Sequence, residues 1–419
     1  MKKCSFFLYW GINSFVSIIP IIVAVAFFTL AERKLMAYLQ RRVGPNIVGP
    51  LGLLQPIADA LKLLFKESLF IKTSTPYLYT VASTLPFIFG FLNWFNIPSN
   101  EYGELSNNSS INLLYIFPIS LGGVAGVVLA GWSSGSKYST LGSYRGLSQL
   151  ISYDIPMVFS IIPLLFFSGS LDFIDIILNQ SNNVWFIFGG FISFIVFGIS
   201  VLAETNRVPF DLPEAEAELV AGFNVEYSSI NFALFFLGEY SSMLLLSAVS
   251  VFLFFAGMSP TNSYLLLISF GGAAMFVVLL KEFTNTLTGL TMSIQRTLFE
   301  DLNLRFEIEE NKAQWVDIFI IFLCTVASLV IYSTLTHIII QYFYDIIFGY
   351  VLYLFMYFSF TYKIVLLALV FIIVRANVPR YRFDQLLSIS WKNLLPISLG
   401  SFICVFFTLL SFNGFITMF

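Results

Sequence analysis

Long apolar runs separated by short polar segments make up most of this sequence. A helix needs about 20 predominantly apolar residues to cross a bilayer, and runs near that length recur along the chain. Ten are found, at 12–30, 77–95, 113–132, 147–167, 184–203, 230–256, 264–280, 316–340, a long run reaching 374, and 394–410. The pattern therefore predicts an all-α polytopic membrane protein with about ten transmembrane helices.

The segment 51–66, LGLLQPIADALKLLFK, has a different period. Its apolar residues recur every three or four positions, at Leu53, Leu54, Ile57, Leu61, Leu64 and Phe65. The polar residues take the other face, at Gln55, Asp59, Lys62 and Lys66. This spacing predicts an amphipathic helix that lies in the membrane interface rather than crossing it. Packing against a neighbouring subunit is an equally open interpretation, and the two are compatible.

Composition and cysteine content narrow the class of protein. The chain is 58% hydrophobic and only 11% charged, which excludes a soluble globular domain. Cys4, Cys324 and Cys404 lie far apart and form no CxxC pair, so we expect neither a disulfide framework nor an iron–sulfur site. His337 is the only histidine, which excludes a haem held by two histidines of this chain. No GxGxxG or P-loop motif occurs, so any electrons must arrive on another subunit or a mobile carrier.

Basic residues alternate between the loops as the positive-inside rule requires. The loops at 31–76, 133–146, 204–229, 281–315 and 375–393 hold 18 of the 21 Lys and Arg, and the rest are Lys2, Lys3 and Lys363. A missed span would mix the basic and non-basic loops. The distribution therefore supports ten spans and places both termini on the outer side.

Acidic residues concentrate in the segment 203–227, AETNRVPFDLPEAEAELVAGFNVEY, between two apolar runs. Arg207 is the only basic residue among them, and the carboxylates are Glu204, Asp211, Glu214, Glu216, Glu218 and Glu226. Asn206, Pro209 and Pro213 break a continuous helix, so we expect an irregular loop or short helix at membrane level. Ionisable groups at such a depth indicate a path for protons or ions. A solvated interfacial loop with acidic decoration is the alternative.

Two further carboxylates lie inside apolar runs. Glu239 is ten residues into its run, about 15 Å deep at 1.5 Å per residue, and Asp154 precedes Pro156 and Pro163. With Glu204, which closes the fifth run, they belong to a row of carboxylates that we expect to exchange protons near neutral pH, because desolvation and mutual repulsion raise their pKa. For Glu239 a purely packing role as a hydrogen-bonded buried acid is the alternative.

A basic group collects at helix ends on the same inner side. It consists of Arg33, Lys34, Arg41, Arg42, Arg207, Arg375, Arg380 and Arg382. Such residues commonly do no more than determine topology. Their other role would be to dock an acidic soluble subunit and to line a polar opening.

Four long motifs resemble one known family. The segments are AERKLMAYLQRRVGPNIVGPLGLLQPIADALKLLFKE, GWSSGSKYSTLGSYRGLSQLISYDIP, AETNRVPFDLPEAEAELVAGFNVEYSSINFALFFLGEY and RANVPRYRFDQLLSISWKNLLP. They resemble, in order, the subunit 1 family of NADH:ubiquinone oxidoreductase, respiratory complex I, over residues 12–258 and 350–413. Membrane subunits of certain hydrogenase complexes are more distant relatives, and the extent of the match favours the quinone enzyme.

This resemblance implies a function. Members of the family anchor the peripheral arm, form much of the tunnel by which ubiquinone reaches a partner's terminal iron–sulfur cluster, and couple quinone reduction to proton translocation. They hold no redox centre or metal of their own. By position, the tunnel residues would be Arg33, Arg42, Arg207, Arg375 and Arg380; the proton path Tyr153, Asp154, Glu204, Glu214 and Glu239; and the acidic loop Asp211, Glu216, Glu218 and Glu226.

The sequence departs from the family in two respects. Asp154 stands where the family usually has Glu, so its carboxylate is one methylene shorter. An insertion at 259–349, with two apolar runs, separates a family core at 1–258 from one at 350–419, whereas members usually have eight spans. We expect the insertion to bind lineage-specific subunits or lipid, and packing over the quinone entrance is the alternative.

The expected partners and location follow from the same resemblance. They are the other membrane subunits of complex I, the peripheral-arm subunits, ubiquinone and phospholipids including cardiolipin, with no nucleic acid. Richness in Phe and Ile together with the family favours the mitochondrial inner membrane, and a bacterial plasma membrane is the alternative. A secondary transporter or a structural scaffold would be other functions, although we find no internal repeat of the kind that transporters use.

Overall fold

A computed structural model of the chain describes residues 2–69, 72, 74–98, 111–182, 184–213, 222–257 and 348–416. Over these ranges the chain forms helices and no strand. The α-helices are α1 Lys2–Leu39, α2 Gln55–Phe65, α3 Pro76–Leu92, α4 Asn112–Ser134, α5 Lys137–Ser168, α6 Phe173–Asn182, α7 Phe186–Gly189, α8 Phe191–Glu204, α9 Ser229–Phe254, α10 Phe348–Asn377, α11 Phe383–Ser388 and α12 Leu395–Ile416. Short 3₁₀ turns lie at Pro50–Gly52, Asn93–Asn96 and Gly222–Asn224, and a π-helical turn lies at Ile389–Leu394.

Six of the described helical stretches are long and apolar enough to cross a membrane. They are Pro76–Asn96, Asn112–Ser134, Lys137–Ser168, Ser229–Phe254, Ser359–Asn377 and Phe383–Ser411. Each coincides with one of the predicted apolar runs. The run 184–203 divides at Gly190 into the short helices α7 and α8. The predicted spans at 264–280 and 316–340 lie outside the described residues, as does almost all of the expected insertion.

Two helices extend further than the hydropathy pattern indicates. Helix α1 continues through the charged residues to Leu39, because the buried Lys34 finds a partner: its Nζ donates to the carbonyl oxygen of Leu51 at 2.6 Å. Helix α5 begins at Lys137, ten residues before the predicted start, with the Ser136 side chain accepting from the Ser139 amide. The predicted loop 133–146 is therefore only a tight turn.

The amphipathic helix begins later than the pattern suggests. A 3₁₀ turn at Pro50–Gly52 precedes α2, which runs from Gln55 to Phe65. No residue of α2 is buried, and Ile57, Leu64 and Phe65 are 55%, 57% and 84% exposed. The apolar face of this helix is thus left uncovered by the described part of the chain.

Helix α5 lies at the centre of the packing. It contacts α4, α8 and α12, while α3 packs against α4 and α9, and α1 against α9 and α10. Phenylalanine pairs fill the core between these helices; for example, Phe252 lies 5.3 Å from Phe173 and 4.8 Å from Phe360 between ring centroids. The α3–α9 crossing is close at Gly238, where a Cβ atom would lie 2.8 Å from the carbonyl oxygen of Pro86.

The carboxyl end of α9 is buried, and two side chains from other helices satisfy its carbonyl groups. Lys363 of α10 donates from Nζ to Phe255 at 2.8 Å and to Gly257 at 3.1 Å. Gln180 of α6 donates from Nε2 to the carbonyl oxygens of the preceding turn, at 2.8 and 3.2 Å. The last carbonyls of a helix have no partner within the helix. A half-buried lysine in an apolar run therefore serves here as a helix cap.

Candidate functional site

The irregular segment 205–213 is held between two parts of the core. On one side, the Tyr381 amide donates to the carbonyl oxygen of Pro209 at 3.2 Å. On the other, the ring of Tyr153 on α5 packs on Phe210 at 5.3 Å, and its hydroxyl donates to the carbonyl oxygen of Leu386 at 3.0 Å. The predicted break in the helix after Glu204 is confirmed, and the described residues 205–213 form a mostly buried connection.

Arg207 points from this segment towards α9. Its side chain is 5% exposed, and Nη2 lies 3.4 Å from Oε2 of Glu239, which is 12% exposed. The guanidinium carbon also lies 4.3 Å from the ring centroid of Tyr240, a cation–π contact. A buried charge needs a charged or hydrogen-bonded partner. Glu239 supplies the opposite charge for Arg207, and Tyr240 adds the face of its ring.

A second buried acid, Glu32, extends this arrangement across three helices. Glu32 on α1 is 4% exposed, forms an ion pair with Arg375 at the end of α10 and accepts a hydrogen bond from the Tyr240 hydroxyl. The site prediction did not include Glu32 or Tyr240. The available signal was a carboxylate placed directly at the end of an apolar run, next to two basic residues.

We call the set Glu32, Arg207, Glu239, Tyr240 and Arg375 the charged cluster. It joins α1, α9, α10 and the segment after α8 through ion pairs, one hydrogen bond and one cation–π contact. Three of its members, Arg207, Glu239 and Arg375, were predicted from the family resemblance. The arrangement links residues expected at the tunnel with one expected on the proton path.

Two more pairs involve predicted site residues. The carboxyl groups of Asp154 on α5 and Glu204 at the end of α8 are close enough to interact electrostatically. Asp211, 8% exposed, pairs with Arg380 at 3.1 Å, and the Arg380 side chain is 42% exposed.

The remaining predicted residues are elsewhere or outside the described part. Arg33 is 54% exposed and bonds Asp59 of α2 at 2.5 Å, while the exposed Arg42 bonds Gln40. These partners, Asp59 and Gln40, are not members of the charged cluster. Glu214, Glu216 and Glu218 lie outside the described residues.

Glu226 belongs to a separate packed group. Its backbone carbonyl accepts from the Tyr79 hydroxyl at 2.7 Å, and Tyr79 stacks on Tyr227 with centroids 4.1 Å apart. The Tyr227 hydroxyl is 3.1 Å from Ser133 Oγ. Burial raises the pKa of the Tyr227 phenol above its usual range, so the phenol stays neutral and anchors the start of α9.

The fold and these contacts define the class of protein. Over the described residues it is an all-helical, multi-pass membrane protein with buried ionisable side chains within and at the ends of its helices, and such side chains mark candidate functional sites in membrane proteins. Comparison with known sequences then gives the family. The NADH dehydrogenase family model matches residues 12–297 and 316–406, so the chain belongs to that family and is a membrane subunit of respiratory complex I, an NADH:quinone oxidoreductase.

Individual relatives agree with this assignment along most of the chain. NADH-ubiquinone oxidoreductase chain 1 of Chondrus crispus is 38% identical over 94% of this chain and 95% of its own length. The chain 1 protein of Arabidopsis thaliana is 36% identical over 94% and 95%. A bacterial NADH-quinone oxidoreductase subunit, from Rhodospirillum rubrum, is 35% identical over 91% and 88%.

Proposed function

We propose that this chain forms much of the quinone tunnel of its complex and couples quinone reduction to proton translocation. The observation that carries the proposal is the contact between Arg207 and Glu239. Arg207 was expected at the tunnel and Glu239 on the proton path, and the two side chains meet inside the protein. Because both side chains are largely buried and little water screens them, a change of charge near one of them changes the electrostatic energy of the other.

The coupling step follows from the chemistry of the substrate. Reduction of ubiquinone to ubiquinol takes up two electrons and two protons, and the electrons arrive from the terminal iron–sulfur cluster of a peripheral-arm subunit. Negative charge developing on the quinone attracts Arg207 away from Glu239. Glu239 then takes up a proton, and the shift passes on to the pair of Asp154 and Glu204 and to the acidic loop.

The entrance lies at the uncovered apolar face of α2. This helix contacts α1 and α9, and Ile57, Leu64 and Phe65 stand exposed on it. A lipid-embedded isoprenoid tail is chemically matched to such a face, and an amphipathic helix of this kind lies in the membrane interface. The basic residues Lys62 and Lys66 beside it suit anionic headgroups such as cardiolipin.

The proposed membrane topology and the role of residues 259–349 follow the sequence predictions. We infer ten spans, with both termini in the intermembrane space of mitochondria and the basic loops facing the peripheral arm. Residues 259–349 bind lineage-specific subunits or lipid away from the quinone chemistry. The other membrane subunits of the complex pack against the remaining lipid-level surface.

Photo-crosslinking with a ubiquinone analogue in native membranes, followed by peptide mapping, tests the tunnel. We expect labelling of residues 31–66 or 203–240 that excess ubiquinone suppresses. Labelling confined to 259–349 would instead assign quinone contact to the insertion. No specific labelling in a complex that still reduces quinone would leave this chain a structural scaffold.

A further inference from the structure

One fully buried side chain of α5 joins the two ends of the segment that carries Arg207. Gln149 is 0% exposed. Its Nε2 donates to the carbonyl oxygens of Ala203 at 2.8 Å and Phe210 at 2.7 Å, and Oδ1 of Asn206 lies 3.3 Å away. An amide nitrogen has two hydrogens, so the two short bonds use its full donor capacity.

The orientation of this amide follows from its surroundings. Ala203 and Phe210 offer carbonyl oxygens, which only accept hydrogen bonds, so the NH₂ group must face them. Within the described part of the chain, the buried Oε1 of Gln149 meets no donor. A buried acceptor left unpaired is costly. The site therefore uses Gln149 as a hydrogen-bond donor to the backbone and leaves its side-chain oxygen without a donor among the described residues.

The backbone that Gln149 binds carries the groups of the proposed proton route. Ala203 directly precedes Glu204 at the end of α8, and the carboxyl of Glu204 interacts electrostatically with that of Asp154 on α5. The contacts at positions 206 and 210 bracket Arg207, which pairs with Glu239. Because Gln149 and Asp154 belong to the same helix, the amide fixes the Glu204 end of α8 relative to Asp154.

We propose that Gln149 is a positioning residue for proton transfer in this chain. By binding the backbone on both sides of the turn, it fixes the end of α8 that carries Glu204 and holds Arg207 against Glu239. Its two short hydrogen bonds go to backbone carbonyls, with the Asn206 side-chain oxygen nearby, and none goes to a carboxyl group, so it acts only through the position of the titrating groups. This inference rests on the proposed function, in which Glu204, Asp154 and Glu239 carry the proton route.

The test is Gln149→Glu in the assembled complex. This change keeps the size of the side chain but removes the NH₂ group, so that at most one hydrogen, that of a protonated carboxyl, remains for the two carbonyl oxygens. Gln385→Glu is the matched control, because Gln385 is exposed and accepts, through Oε1, from the Arg382 amide, a role that a carboxylate can also fill. Gln149→Met, which removes both donors without adding charge, is the second variant.

Three quantities are measured: the amount of assembled complex on native gels, the KM for a short-chain ubiquinone, and the rate of proton translocation per assembled complex. We expect Gln149→Glu and Gln149→Met to lower the rate of proton translocation per assembled complex by at least about tenfold. The KM for the short-chain ubiquinone should change less than about threefold. Gln385→Glu should match the unmodified complex in all three.

Several results would overturn the inference. They are a normal translocation rate per assembled complex in either Gln149 variant, a rise in KM alone, and loss of assembly in both variants, which would make the residue purely structural. The variant Glu204→Gln distinguishes a failure of this inference from a failure of the proposed proton route. If Glu204→Gln lowers translocation and the Gln149 variants do not, only the inference about Gln149 fails; if Glu204→Gln has no effect either, the proposed proton route fails.

Discussion

At the scale of single residues, each buried charge of the charged cluster is paired with an opposite charge, so removing one partner is costly. Removing one partner of a buried ion pair leaves the other charge without compensation, which costs about 3–5 kcal/mol. Exposed pairs such as Arg33 and Asp59 contribute about 1 kcal/mol or less. This contrast separates the charged cluster from the other charges of the chain.

Glu32→Gln should markedly reduce the amount of assembled complex, because Arg375 then lacks its counter-charge and Tyr240 its strongest acceptor. Native gels after solubilisation in mild detergent measure this effect. Glu67→Gln, at an exposed position, is the control and should have no effect. Equal levels in the two variants would show that the ion pair is dispensable.

Arg207→Lys should lower the quinone reductase rate at least about tenfold while the complex still assembles. Lysine keeps the positive charge but loses the planar group that lies over Tyr240 and reaches Glu239 at the same time. The rate per assembled complex is the measurement, and Arg382→Lys, at an exposed residue, is the control. An unchanged rate would mean that charge alone suffices at position 207.

At the scale of helices, two contacts fix the position of α9: its close packing against α3 and the capping of its carboxyl end by side chains of other helices. Gly238 precedes Glu239 and lies against Pro86 of α3, so the α3–α9 crossing sets the position of Glu239. At the other end, Lys363 and Gln180 hold the last turn of α9. Both contacts fix a helix whose middle carries a charge of the proposed route.

Gly238→Ala should destabilise the complex by about 1–3 kcal/mol, the usual cost of overpacking, because the added methyl group meets backbone atoms of Pro86 at 2.8 and 2.9 Å. Thermal unfolding of the purified complex is the measurement. Gly198→Ala is the matched control, since a Cβ there has no atom of the described chain within 4 Å and alanine favours a helix. Identical melting temperatures for both variants would argue against close packing at Gly238.

Lys363→Met should also reduce assembly, by leaving the carbonyl groups of Phe255 and Gly257 buried and without the lysine donor, at a cost of about 1–3 kcal/mol each. Methionine has a similar length, so the packing of the side-chain stem is retained. Lys137→Met, at an exposed residue, is the comparison. Normal assembly of Lys363→Met would show that other groups can satisfy the end of α9.

At the scale of the whole molecule, the proposed topology assigns each loop to one side of the membrane. With native cysteines replaced, a single cysteine at Lys72 should react with an impermeant reagent only from the matrix side, and one at Gly169 only from the intermembrane space. Labelling of both from the same side would contradict the alternation of basic and non-basic loops. Sealed mitoplasts and inverted vesicles give the two orientations.

The sequence alone determined the helical class, the positions of six helices that are long and apolar enough to cross a membrane, and the break after Glu204, because hydropathy and proline act locally. Four long motifs were sufficient to identify the family. Only the tertiary structure brought Glu32 to Arg375 and Arg207 to Glu239, and showed that Gln149 binds both ends of the turn. Those contacts join residues that are 32 to 343 positions apart along the chain. No local pattern encodes such contacts, since they depend on which helix faces meet when the chain packs.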